Sequence, residues 1–271
     1  MSIIQAAGSG EVSTGFYKHL LDQSLKFNDD DSQVLTRTPA SAGNQKTWTY
    51  SFWVKRANLN SYAGFLAVGT GDGSEDFFGF DSSHRLYFRY SSGSDFTSTQ
   101  VFRDVSSWYH IVLVADTTQS QSSSTASDSR LRYYVNGTQI TAFASSTMPS
   151  QNFDFRINSA AEHYIGEFPR INSHLDGYLA EINFIDGTAL TPASFGETKN
   201  GIWIPKDTSG LTFGTNGFHL TFKDDVVSEG FNTVTYAGTA GKQSISGIGF
   251  QPDFVWIKSR TSTGGNILQD S

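Results

Sequence analysis

The chain has 271 residues, a formal charge of −7 and a pI near 5.3; its Lys and Arg are scattered singly, so it offers a phosphate backbone no attractive surface and nucleic acid is set aside as a partner. It has no cysteine, which excludes a disulfide framework and any thiolate metal site. Aromatic residues are abundant (22 Phe, 11 Tyr and 5 Trp) and runs of strong helix formers are missing, a composition that leans towards β-structure in one large sandwich or a sandwich with a smaller companion.

Residues 1–23 are small, polar and weakly patterned and read as an arm, either frayed or docked on a partner. The opening MSIIQAAGSGEVSTG has no basic stretch followed by an apolar one, so no secretory signal is expected. No apolar run approaches about 18 residues, so membrane insertion is not expected either.

From 24 to about 225, apolar and polar residues alternate between closely spaced turn residues, as expected for an antiparallel sandwich. Leu25-Lys26-Phe27 and Val34-Leu35-Thr36 flank Asn28-Asp29-Asp30-Asp31-Ser32, which predicts a hairpin turn. In 47–54, Trp48, Tyr50, Phe52 and Val54 share one face and Thr47, Thr49 and Ser51 the other. In 85–90, Leu86, Phe88 and Tyr90 oppose Arg85, Tyr87 and Arg89. Both strands are expected to be half buried.

WYHIVLVA at 108–115 is apolar on both faces apart from His110, which predicts a central strand with His110 as a hydrogen-bonded core residue. Residues 131–135 lead into Asn136-Gly137, a pair that favours the positive φ of a two-residue hairpin, and 139–141 return. Residues 117–129, nearly all Ser, Thr, Gln and Asp, read as a solvated loop. Thr191-Pro192 with Gly196 predicts one helical turn capped by the Thr191 hydroxyl. A shift in composition near 224–230 precedes strand-like runs at 231–236, 243–248 and 253–258. Segment 226–271 is therefore read as the start of a second β unit, expected to pack on the sandwich or to continue past Ser271.

The order and spacing of WYHIVLVAD (108–116), LRYYVNGTQI (131–140), HYIGEFP (163–169) and LDGYLAEINFIDGTALTPASFGE (175–197) resemble the laminin-G-like and pentraxin-like members of the concanavalin-A-like lectin-glucanase sandwiches. The resemblance runs from about 24 to 200 and implies an all-β, antiparallel two-sheet jelly roll over 24–225. Residues 22–59 (DQSLKFNDDDSQVLTRTPASAGNQKTWTYSFWVKRANL) and 231–260 (FNTVTYAGTAGKQSISGIGFQPDFVWIKSR) are similar to virion structural and tail-fibre-type proteins of marine bacteriophages. That resemblance implies a non-enzymatic tail fibre, adhesin or capsid-attached fibre, made in the host cytoplasm and carried on the virion. Its partners would be other virion proteins, further copies of the chain and a host surface glycan. A stand-alone carbohydrate-binding module is the alternative, and a glucanase the third reading.

Laminarinase-type relatives carry Glu-x-Asp-x-x-Glu or Glu-x-Asp-x-Glu on their catalytic strand, and the similar strand here reads Glu181-Ile182-Asn183-Phe184-Ile185-Asp186. Retaining hydrolysis needs two carboxyls about 5 Å apart. With strict alternation Glu181, Asn183 and Ile185 share a face and Asp186 takes the other, so no enzymatic activity is expected. Glu181 and Asn183 remain candidates as polar contacts to a sugar. Exposed aromatics would stack on its rings, and the candidates on sheet faces or loop tips are Trp53, Tyr62, Tyr87, Tyr90, Tyr134 and Trp203.

No cofactor is expected, with Ca²⁺ as the one ion to consider, because carboxylates are concentrated at Asp29, Asp30 and Asp31 and again around Asp72 and Asp76. Both clusters also suit ordinary turns, the preferred reading. The six histidines fall at no metal-type spacing, and GTGDGS at 69–74 lacks the helix and Lys of a phosphate loop.

Overall fold

The computed structural model describes residues 19, 21, 23–59, 62–69, 75–91, 93–222, 235, 237, 254–258 and 267–270. The chain divides into two compact units, 1–222 and 223–271.

The strands of the first unit, in chain order, are β1 (Leu25–Phe27), β2 (Leu35–Arg37), β3 (Thr47–Arg56), β4 (Ala63–Val68), β5 (Asp76–Phe80) and β6 (Arg85–Tyr90). There follow β7 (Ser94–Val101), β8 (Tyr109–Asp116), β9 (Leu131–Val135), β10 (Thr138–Gln139), β11 (Phe143–Ser146), β12 (His163–Ile165) and β13 (Glu167–Phe168). The last five are β14 (Ser173–His174), β15 (Gly177–Asp186), β16 (Gly196–Lys199), β17 (Ile202–Pro205) and β18 (Phe218–Leu220). Short 3₁₀ turns at Asp29–Asp31, Pro169–Ile171 and Pro192–Ser194 are the helical content of the described residues. None is long and apolar enough to cross a membrane.

Two seven-stranded antiparallel sheets form the sandwich. The first runs β1-β15-β3-β8-β9-β10, with β18 also pairing with β15; the second runs β11-β7-β6-β5-β4-β12-β2. Trp48, Tyr50, Phe52 and Val54 face inward from β3, and Leu86, Phe88 and Tyr90 from β6, in one continuous aromatic core. Phe52 lies 4.7 Å from Phe65 and Phe78 stacks on Tyr133 at 5.7 Å, centroid to centroid. Such pairs add stabilisation of about 0.5–1.5 kcal/mol each to what burial provides. Asn136 (φ +47) and Gly137 (φ +79) close the β9–β10 hairpin in the left-handed conformation that the Asn-Gly pair predicts.

Three expectations are corrected. The 28–32 turn does not close a hairpin: β1 joins β15 in the first sheet and β2 joins β12 in the second, because Phe27 is anchored in the core and the chain crosses between layers. Strand β3 is buried on both faces, since Thr49, Ser51 and Trp53 are covered as well as the inward set. Thr191 makes no side-chain cap bond to its turn.

In β15 the expected sides hold, with Glu181, Asn183 and Ile185 on one face and Asp186 on the other, but the alternation is interrupted just before Glu181. Ala180 pairs with Trp53 and Asn183 with Ser51, so Glu181 and Ile182 oppose Phe52 alone in a β-bulge. Strict alternation from the core residue Leu179 would drive Glu181 and Asn183 inward. The bulge, with Glu181 at φ +49, instead delivers Ile182 and Phe184 to the core and turns Asn183 and Ile185 outward.

In the second unit, β19 (Phe254–Ile257) and β20 (Ile267–Asp270) pair as an antiparallel hairpin. The strand expected at 253–258 is present; those at 231–236 and 243–248 lie outside the described residues, apart from Thr235, which is not in a strand.

Candidate functional site

The outer face of the first sheet carries a third layer. Val112, Val114 and Ile185 of the sheet pack under Phe195, with Leu211 and Phe213 beside them, so residues 187–213 wrap back over the sandwich. The β16–β17 hairpin lowers Trp203 onto this face. A Cβ on either Gly137 or Gly196 would come within 2.5 Å of the Trp203 ring, so these glycines make the space in which the indole lies. The Asn136-Gly137 turn thus serves the hairpin and the indole together.

Trp203 is fixed from below by His110. Its Nε1–H donates to His110 Nδ1 at 3.0 Å, and the rings stack with centroids 5.8 Å apart. Because an indole N–H can only donate, Nδ1 is the bare nitrogen and Nε2 carries the proton. That proton faces the Ser51 Oγ, 2.9 Å away. Burial pushes the His110 imidazole down to about 3, so it is neutral at physiological pH. The pair is not set up as a nucleophile and base: Nε2 has no lone pair to take the Ser51 proton, and both residues are buried. His110 is the hydrogen-bonded interior residue that its strand predicts.

Beside this stack opens a cleft of about 320 Å³ walled by Trp53, Trp108 and Trp203. Leu21, Ala180, Ile204 and Pro205 complete its apolar surface, and His19, Gln23 and Ser24 supply its polar groups. Trp108 is 37% exposed and leans on Tyr178 at 6.4 Å, whereas Trp53 is nearly buried against the His110 ring, 4.9 Å away. The Nε2 of His19 is buried with no hydrogen-bond partner. Among the described residues no Asp, Glu, Lys or Arg lines this cleft.

Of the sequence candidates, Trp53 and Trp203 come together here. Glu181 and Asn183 lie on the same sheet face but outside the lining. The Glu181 carboxylate meets His219 Nε2 at 2.7 Å, and Asn183 donates to the Glu181 carbonyl at 2.9 Å while its Oδ1 lacks a partner. Asp186 points to the other face, as alternation after the bulge requires. Its oxygens accept from the Asn44 N–H, the Asn158 amide and the Asn216 N–H. The two carboxylates therefore have separate partners on opposite faces of β15.

The remaining candidates are dispersed. Tyr134 packs half-buried on the outer apolar patch of the first sheet. Tyr87 lies on the far sheet against Phe77, its hydroxyl donating to Asp95. Tyr90 is corrected outright: its ring is in the core beside Phe88 and Phe155, and its hydroxyl donates to the Thr147 carbonyl at 2.6 Å. Trp108, His19, Gln23 and Ser24 were not singled out by sequence. Trp108 reads as the first residue of a buried strand, but it precedes β8 and stays exposed.

Asp31 accepts from Asn28 and Asp29 from Asn58, within and beside their turn. Asp30 shares that turn. Asp76, buried, accepts the Ile157 N–H at 2.9 Å, and burial raises it to about 7. Asp72 lies outside the described residues. Among the described residues no group of three His, Asp or Glu side chains is placed to hold a metal ion. A second concavity, about 350 Å³, opens near Leu35, Arg37, Phe184 and Phe218. It has no tryptophan, and its Asn158, His163 and Asn216 are bonded to protein groups.

The profile of the concanavalin A-like lectin/glucanases superfamily matches residues 28–194, and that of a domain of unknown function (DUF7483) matches residues 226–271. No curated protein matches the sequence. Among solved structures the fold is similar to the heptameric SAP-like pentraxin of Limulus polyphemus, at 16% identity over 58% of this chain and 70% of that one, with a TM-score of 0.40. It is also similar to domain 4 of a GH43 extracellular arabinanase from Geobacillus stearothermophilus, solved with arabinotriose (17% identity, 57% and 66% of the chains, TM-score 0.38). Domains LG4-5 of the mouse laminin alpha1 chain match at 10% identity over 56% of this chain and 38% of that one, TM-score 0.38. These likenesses concern the fold alone.

Proposed function

We propose that this chain, which belongs to the concanavalin A-like lectin/glucanases superfamily, binds carbohydrate and does not cleave it. The observation that carries this is the cleft walled by Trp53, Trp108 and Trp203, with polar groups at its margin and, among the described residues, no carboxylate in its lining. Indole faces suit the C–H faces of a sugar ring, and a few convergent polar groups fix its orientation. Glycoside hydrolysis ordinarily takes a pair of carboxyls across the bond, and Glu181 and Asp186 are committed to separate partners.

A glycan array probed with the intact chain tests the reading, with and without EDTA. Binding that survives EDTA, is weakened at least tenfold by Trp108→Ala and is accompanied by no release of reducing sugar supports it. An array without a binder, with or without Ca²⁺, would refute it.

The finer reading places this module on a phage particle, as part of a homo-oligomeric fibre or adhesin. It is supported by the resemblance of 22–59 and 231–260 to virion proteins and by the second compact unit that follows the sandwich. Light scattering on the purified chain is expected to show an assembly; a strict monomer counts against it.

A further inference from the structure

Tyr178 stands in β15 two residues before Ala180, which lines the cleft, so the two share the outer face of the sheet about 7 Å apart. Its cross-strand partners are Lys26 in β1 and Lys55 in β3, and partners in register share a face. Phe27, Val54 and Leu179, next to them along their strands, all face the core, so Lys26, Lys55 and Tyr178 project outward in one row. Trp108, a wall of the cleft, leans on Tyr178 with ring centroids 6.4 Å apart. Strand β3 lies between β15 and β8, and Trp108 immediately precedes β8, so the two rings lean together across Lys55.

Lysines far apart in sequence thus flank one half-exposed phenol beside the cleft. Lys26 is exposed and Lys55 half-buried, and among the described residues neither is in a salt bridge. The aromatic face suits the C–H side of a sugar ring, and an ammonium on either flank suits an anionic substituent of that ring, through a charge-assisted bond. The carboxylates at this end, Asp29, Asp30 and Asp176, lie past the strand ends, where the Asn58 amide donates to Asp29 at 3.2 Å and to Asp176 at 2.6 Å. Asp176 is raised by burial and by Asp29, against the lowering effect of Lys26. The charge of Lys26 is therefore partly answered, and Lys55, outside that balance, is the freer cation. The net charge of −7 opposes an anion over distances that salt screens, whereas the ammonium groups act at contact. Resting on the carbohydrate-binding reading above, we infer that the site continues past Trp108 onto Tyr178 and takes an acidic oligosaccharide, with one ring in the tryptophan cleft and another on Tyr178, its carboxylate or sulfate directed to Lys55 and Lys26.

Calorimetric titration of the intact chain tests this with two pairs matched in skeleton and differing in charge: hexagalacturonate against its full methyl ester, and a carrageenan hexasaccharide against its desulfated form. The first pair reports on a carboxylate and the second on a sulfate. In at least one pair the charged member is expected to bind roughly tenfold more tightly, as one charge-assisted hydrogen bond gives. Lys55→Gln should shrink that ratio to about threefold or less, and Lys26→Gln should shrink it by a smaller factor, as the partial answer from Asp176 requires. Tyr178→Ala should weaken both members of the pair several-fold. Charged and uncharged members bound alike, a ratio untouched by Lys55→Gln, or affinities unaltered by Tyr178→Ala would overturn the extension and leave carbohydrate binding in the cleft standing. If all four ligands fail to bind, the acidic ligand is refuted, and the glycan array described above decides carbohydrate binding separately.

Discussion

Trp203 donates its indole N–H to Nδ1 of His110 across 3.0 Å, and the two rings lie stacked. This one bond links a buried residue of the central strand β8 to a wall of the cleft, and it fixes the imidazole tautomer and the indole plane together. The cleft's geometry is therefore set inside the fold.

His110→Phe keeps a ring beneath Trp203 but removes the acceptor. The indole N–H is left unpaired against an apolar surface, which costs on the order of 1–3 kcal/mol, and Trp203 loses its orientation. Urea unfolding at neutral pH should show that loss. Sugar affinity should fall several-fold, without the near-complete loss expected for Trp108→Ala. Unchanged stability and affinity would mean that the bond does not set the wall.

The same residue predicts a pH dependence. Burial holds His110 down to about 3, against an ordinary 6.5. The unfolded chain takes up a proton near pH 6.5 that the folded chain refuses until about pH 3. The stability contributed by His110 is therefore complete above 6.5 and is lost as pH falls through that window. Asp76 runs the other way: burial raises it from 3.8 to about 7, so its contribution is complete below 3.8 and declines as pH rises towards 7. The difference in unfolding free energy between wild type and His110→Phe isolates the histidine. It should shrink from pH 7 to pH 5 with a slope approaching about 1.4 kcal/mol per pH unit; a flat difference contradicts the assignment.

The sandwich itself was legible because pleat parity and burial agree over long strands. The alternation of Trp48, Tyr50, Phe52 and Val54, and the apolar run after Trp108, place β3 and β8 at the centre of one sheet, and Asn136-Gly137 marks its hairpin. The bulge at Glu181 was not legible, because it adds one residue to the register and carries no marker in the residue itself; a glycine there would have signalled the left-handed turn. The cleft was half legible. Trp53 and Trp203 stood out as aromatics. Their meeting depends on the β16–β17 hairpin folding back over the sheet, with Gly137 and Gly196 leaving room for an indole, a relation between positions far apart in sequence. Tyr90 shows the converse: an aromatic at the strand position that parity sends inward is core material whatever its hydroxyl suggests.

The bulge makes its own prediction. Glu181 at φ +49 is in a conformation that costs a side-chain-bearing residue on the order of 1 kcal/mol and glycine almost nothing. Glu181→Ala and Glu181→Gly both remove the carboxylate from His219, but only the first retains the strain. Thermal unfolding should find Glu181→Gly the more stable of the two by about 1 kcal/mol. Neither should weaken sugar binding more than about threefold, since the carboxylate is turned to His219.

Gly196→Ala probes the cleft wall from the opposite side. Its Cβ would meet the Trp203 ring at 2.5 Å, so the indole must shift. Crowding of this kind typically costs about 1–3 kcal/mol. A thermal shift of the variant, with a sugar affinity reduced in step with His110→Phe, is the expected pattern; unaltered binding would show that the position of Trp203 is unimportant.

The most direct measurement follows the indole N–H resonances of the intact, nitrogen-15-labelled chain as a hexasaccharide is added. The account predicts that the signals of Trp53, Trp108 and Trp203 move together along one saturable curve, while those of Trp48 in the core and Trp256 in the second unit stay in place. Saturable binding that leaves the three cleft signals unmoved would contradict it.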